Sequence, residues 1–168
     1  MRFFGLLLVF GALFLLLYEE FLKRKKMIRE YGSVLRFIEI LDRGFENNSE
    51  GLYESIGMFC ESEKEDTLFL AKISSVIKSK KEENFAYIER KNISDMDFLE
   101  NSKDSEKIKT FLQNFGKRTF EEEKGALLSI KRYMKEREEQ LSEKLNTDKK
   151  LAGVVYTAVF VGVFILII

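Results

Sequence analysis

The sequence predicts an all-α protein: an antiparallel bundle of about five or six helices, flanked by an N-terminal and a C-terminal transmembrane helix. Three observations predict it. The 168 residues include no proline, although average usage of about 5 % would supply several, and proline is the residue that breaks helix interiors and marks loops. Apolar side chains recur at steps of three and four through the middle of the chain. Two stretches, 3–18 (FFGLLLVFGALFLLLY) and 151–168 (LAGVVYTAVFVGVFILII), hold no charged residue.

As a helix, the first stretch covers ~24 Å, a little short of a ~30 Å hydrocarbon core. A cleaved signal peptide needs small residues after its apolar core. Here the core runs into Tyr18-Glu19-Glu20-Phe21-Leu22, so residues 1–22 are expected to stay as an anchor. The second stretch is apolar all round, and a domain of this size could not cover such a helix as core. With the sequence ending inside it, residues 151–168 are expected to finish at the opposite membrane face. Between the two lies a polar middle domain, 23–150.

Charge orients the arrangement. Lys23, Arg24, Lys25 and Lys26 follow the first stretch, and Lys149-Lys150 precede the second. On the far sides stand only Arg2 and the terminal amine. Lys and Arg gather on the cytoplasmic flank of a span, so the middle domain is expected in the cytoplasm and both termini outside. The same four cations would also favour anionic headgroups, but orientation alone accounts for them.

Within the middle domain, Met27, Tyr31, Val34, Ile38, Leu41 and Phe45 mark one face of a helix over roughly 27–43. Gly44 and Asn47-Asn48-Ser49-Glu50-Gly51 supply turn chemistry. A short helix carries Leu52, Ile56, Phe59 and Cys60. Ser62 and Glu65, at capping-box spacing, open another with Leu68, Phe69, Ile73, Val76 and Ile77. A weaker segment holds Phe85, Ala86 and Ile88. Asp104 caps a helix with Ile108, Phe111, Leu112 and Phe115 that ends near Gly116. Thr119 and Glu122 repeat the capping-box spacing and start the longest element, with Phe120, Leu127, Met134 and Leu141 at intervals of seven and Ile130 and Leu145 between. Nothing breaks it before the end of the sequence, so a stiff link to the second apolar stretch is expected, or else a plain amphipathic stalk. No alternating segment is long enough for a strand.

Composition narrows the function. The chain has 28 basic and 28 acidic residues; setting aside Arg2, Glu19 and Glu20 leaves 27 against 26 in the middle domain. A nucleic-acid binder would show a one-sided basic excess. With no histidine, a His general base or metal ligand is impossible. The single cysteine, Cys60, falls on the apolar face with Ile56 and Phe59 and reads as a packing thiol rather than a nucleophile. It also fits a reducing compartment. The ten glycines are scattered, leaving no phosphate-cradling loop. Glu121-Glu122-Glu123 reads as helix-start chemistry rather than a cation site. No enzyme activity, cofactor, metal or small-molecule substrate is expected.

Binding surfaces remain. Phe115-Gly116-Lys117-Arg118 combines an aromatic, a tight turn and two cations at a helix junction, and is the candidate partner-binding corner. A helix cap followed by solvated charges is the plainer reading. Lys78, Lys80 and Lys81 suit a helix C-terminus. Ala158 and Gly162 have the small-xxx-small spacing that permits close helix contact in a membrane.

The stretch FLQNFGKRTFEEEKGALLSIKRYMKEREEQ, 111–140, set before a terminal apolar stretch in a chain that also begins with one, resembles the stage III sporulation protein AB family. The family's Leu-x-x-Phe-Gly element is present as Leu112, Phe115 and Gly116, and Glu123 stands at its acidic position. The chain departs at Thr119-Phe120, where Leu-Gly is usual, at Leu127, where Gln is usual, and at Gly51-Leu52, in place of Pro-Leu. The resemblance implies a role in endospore formation. The protein would be a platform in the mother-cell membrane facing the forespore, one part of a multi-protein channel. Its helical domain would be similar to the inner-membrane platform of type II secretion and type IV pilus systems, and its expected partner is a cytoplasmic assembly ATPase. Against this stands a general membrane-tethered coiled-coil scaffold that oligomerises through 120–145. A membrane-permeabilising effector fits poorly, because so much polar chain separates the two apolar stretches.

Overall fold

The computed structural model describes residues 2–46, 52–78, 93 and 97–167, with the side chains of 2–10, 13, 14, 53, 77, 78, 156 and 158–167 outside the description. The described chain is all-helical. Five helices are seen: α1 (Arg2–Glu46), α2 (Leu52–Ser62), α3 (Leu68–Lys78), α4 (Ser102–Asn114) and α5 (Phe120–Ile167). The turn expected at 47–51, the weak segment at 85–88, and Lys80 and Lys81 lie outside the described residues, as do the side chains of Lys78, Ala158 and Gly162. Among the described residues no helix is long and apolar enough to cross a membrane. The two expected spans are therefore unsupported by this structure, and most of their side chains lie outside the described set.

The chain divides into two compact units, one of residues 1–28 with 139–168 and one of Arg29–Glu138. The second unit is a helical bundle, built as the periodicities require. On α1, Tyr31, Val34, Ile38 and Leu41 are buried, joined by Phe37 and Ile40. Leu52, Ile56 and Phe59 of α2, Phe69, Ile73 and Val76 of α3, Ile108, Phe111 and Leu112 of α4, and Leu127, Ile130 and Met134 of α5 complete the core. Its centre is aromatic. Phe37 meets Phe59 at 5.3 Å and Phe69 at 5.5 Å between ring centroids, and Phe69 meets Phe98 at 5.8 Å. Tilted and edge-on contacts of this kind add to plain area burial.

Three boundaries differ from the sequence reading. α1 runs through Gly44 to Glu46 without a turn there, and Gly44 is buried within the helix. Ser62 does not open α3: it is the last residue of α2, where its hydroxyl donates to the Phe59 carbonyl. The α3 cap is Thr67, whose Oγ1 accepts from Leu70 N–H at 3.1 Å. α4 is capped by Asn101, which accepts from the N–H groups of Lys103 and Asp104, rather than by Asp104. At both helix starts a side-chain acceptor nearer the true first turn wins. Cys60 is half-buried.

Candidate functional site

The candidate corner forms where α4 must end. Phe115 leaves the helix with an extended backbone (ψ 133°), and Gly116 then takes φ 77°. A Cβ added at Gly116 would meet nothing within 4 Å, so glycine is required there for its left-handed backbone rather than for space. Lys117 donates through Nζ to the Gln113 carbonyl, placing a cation at the C-terminal end of the α4 dipole. Arg118 reaches the Glu123 carboxylate at 3.4 Å. Gly116, Lys117 and Arg118 are exposed, while Phe115 is half-buried. Its ring packs against Phe111 at 5.7 Å and Phe45 at 6.2 Å. Phe115 therefore fastens the corner to the core, and the two cations form its outer surface.

Glu123 sits behind that surface. It is 1 % exposed and accepts the Gly116 N–H at 3.0 Å, meeting a backbone donor that would otherwise be orphaned beyond the helix end. Of Glu121-Glu122-Glu123, expected to act together on the helix dipole, Glu122 and Glu123 do different things. Glu122 completes one half of the capping box, accepting from Thr119 N–H at 3.0 Å and from its hydroxyl at 2.9 Å. Those two hydrogen bonds hold its carboxyl below the usual range. Glu123 instead faces the core, four and seven residues before Leu127 and Ile130. An acid on an apolar helical face was the signal that could have found it.

Two more such acids join the helices. Glu30 of α1 is 4 % exposed and accepts from the N–H groups of Leu68 at 2.8 Å and Phe69 at 3.0 Å, capping α3 from another helix. Asp104 of α4 is 1 % exposed and accepts from the Tyr31 and Tyr133 hydroxyls and from Arg137 Nε at 3.1 Å. Burial pushes the Asp104 carboxyl up, but the hydrogen bonds from Tyr133, Tyr31 and Arg137 outweigh it and hold the group below its ordinary range. Burial and the Asp104 hydrogen bond push the Tyr31 phenol well above its ordinary value. At the link before α3, Glu63 accepts from Arg36 Nε at 2.8 Å and Ser33 Oγ at 3.2 Å. These hydrogen bonds overcome burial and hold its carboxyl low. Such clusters position helices; among the described residues no group of His, Cys, Asp and Glu is arranged to hold a metal ion.

In the other unit, Arg24 pairs with Asp148 and, at 3.3 Å, with Glu20. Lys23 pairs with Glu19 at 3.3 Å across exposed surface. Lys25 and Lys26 are exposed. The four cations therefore wind round about one turn of α1, and Arg24 also ties α1 to α5 within this unit.

The family model for stage III sporulation protein AB matches residues 2–168, nearly the whole chain. The chain belongs to that family. No curated protein and no solved structure matches. Membership carries a role in sporulation, and it covers both apolar ends together with the bundle. In this family member the expected Leu-x-x-Phe-Gly element does a structural task that can be read off the helices: Leu112 is core, Phe115 seats the turn and Gly116 makes it.

Proposed function

We propose that this protein is a non-enzymatic platform or adaptor of the mother-cell to forespore channel complex in endospore formation. An apolar helix at each end holds it in the bacterial cell membrane, with the middle domain cytoplasmic and both termini outside. The observation that carries the adaptor reading is the corner 115–118, where Lys117 and Arg118 are presented on a glycine turn braced from behind by buried Glu123. The anchoring part rests on the two uncharged stretches and on the cations that flank them. It is also supported by Leu15, Leu16, Leu151 and Val154, each more than half exposed. The non-enzymatic part rests on a sequence without histidine.

The scaffold alternative needs the seam of Phe120, Leu127, Met134 and Leu141 free for a second copy. Leu127 and Met134 are 1 % and 0 % exposed within one chain, and the Phe120 ring stacks on Phe45 at 4.8 Å. Phe120 is nonetheless 47 % exposed and Leu141 half-buried, so it is the burial of Leu127 and Met134 that favours the bundle.

The partner expected at the corner is a cytoplasmic assembly ATPase. Lys117→Glu with Arg118→Glu should weaken its co-purification by ~1–3 kcal/mol, more at low salt than at high. Because Arg118 also pairs with Glu123, Lys117→Glu alone and the melting temperature of both variants are measured alongside. Equal ATPase recovery from all three proteins at both salt concentrations removes the corner from the interface.

A further inference from the structure

We propose that a groove between α4 and α5 is a docking site for an acidic amphipathic helix of a partner protein. This deepens the adaptor reading and rests on it for the existence of a partner. The groove has a volume of about 790 Å³ and is bounded by residues between Ser102 and Tyr133. Its floor is apolar, made by Phe111 and Ile130. On α5 the side chains of Ala126 and Ser129, three residues apart on one face, are small and leave the room.

The rim is basic. Lys103 and Lys107 stand one turn apart on α4, and Arg118, in the link before α5, also lines the groove. Lys107 is held there, with its ammonium 3.4 Å from the centroid of the Tyr133 ring. The one rim acid, Glu106, is drawn towards Lys109 at 3.6 Å, which also pairs with Asp97 at 3.2 Å. Arg118 is already paired with Glu123 at 3.4 Å, so in a near-neutral domain Lys103 and Lys107 carry the local cationic excess around the apolar trough. A helix that places apolar anchors at i, i+3 or i+4 fills such a trough, and carboxylates on its flanks meet the rim. Arg118 belongs both to this rim and to the corner, so one partner can engage the two surfaces together.

The test uses the full chain in detergent micelles and a fluorescent helical peptide of about sixteen residues, with leucines on one face and glutamates on both flanks. Saturable binding that weakens with salt is expected. Ser129→Trp, which fills the trough, and Lys103→Glu with Lys107→Glu, which reverses the rim, should each weaken it about tenfold or more. The rim variant changes exposed side chains and decides the matter if Ser129→Trp does not fold. A peptide with lysines in place of the glutamates should not bind. Equal binding of the acidic peptide to wild type and the rim variant overturns the proposal. So does equal binding of the lysine peptide, or rim-dependent binding of phosphatidylglycerol vesicles without binding of the acidic peptide. Membrane fractionation of the same chain is read separately: a membrane-bound chain that fails the peptide test sinks the groove alone, whereas a chain that binds the peptide but leaves the membrane fraction sinks only the anchoring.

Discussion

The Glu30 carboxylate receives the Leu68 backbone N–H at 2.8 Å, across 38 positions of sequence. A second N–H, from Phe69, arrives at 3.0 Å, so one side chain of α1 closes the start of α3. Thr67, the local cap, is itself bonded to Ser33 of α1 at 3.0 Å. α3 is a short helix of 11 residues, below the length at which helices persist alone, and it depends on this junction for its start.

Glu30→Ala should therefore cost ~1–3 kcal/mol by leaving buried N–H groups without an acceptor. Thr67→Val should cost about 1 kcal/mol through loss of the local cap. Denaturant unfolding checks both. The two effects should fall short of additivity, since both residues serve the same helix end.

The Asp104 cluster predicts an acid limit to stability. Its folded carboxyl titrates below the ordinary value of 3.8, so its stabilising contribution is fully present above that value and is lost as pH falls through the folded pKa. Glu63 acts with the same sign. Asp104→Asn should lower stability at neutral pH by ~1.5–3 kcal/mol and make the loss of stability in acid shallower. Thermal melts between neutral pH and about pH 3 test this; an unchanged acid limb would show that the cluster does not couple to folding.

On α5 the two sides of the helix should respond oppositely. Met134 is fully buried, so Met134→Ala should cost ~2–5 kcal/mol. Leu128, 51 % exposed, should tolerate alanine within ~0.5 kcal/mol. Leu127→Glu should unfold the bundle. If instead it converts a dimer into a folded monomer in sedimentation, the scaffold reading replaces the platform.

Orientation is open to direct measurement. In a Cys60→Ser background, a membrane-impermeant thiol reagent applied from outside should label a cysteine added after Ile168 and spare one placed at Lys80. Neutralising Lys23, Arg24, Lys25 and Lys26 together should blur that pattern. Labelling at position 80 in the otherwise unaltered protein would place the middle domain on the other side.

The sequence by itself determined the helical class, the buried faces and the sharp turn. Proline-free chain with apolar steps of three and four admits little else, and Gly116 lies where only a glycine enters the left-handed region readily. Helical periodicity is a local property, so Tyr31, Val34, Ile38 and Leu41, or Leu127 and Met134, are legible without any partner helix. What only the tertiary structure decided is the pairing of polar groups across elements. Glu30, Asp104 and Glu123 each stand on an apolar face, where sequence alone marks an anomaly without naming a partner. Their donors lie on other helices or beyond a turn: Leu68 and Phe69, Tyr31 with Tyr133 and Arg137, and Gly116. The misplaced starts of α3 and α4 have the same origin. Several nearby Ser, Thr, Asn and Asp residues can each cap a helix, and tertiary packing fixes which N–H groups need the acceptor.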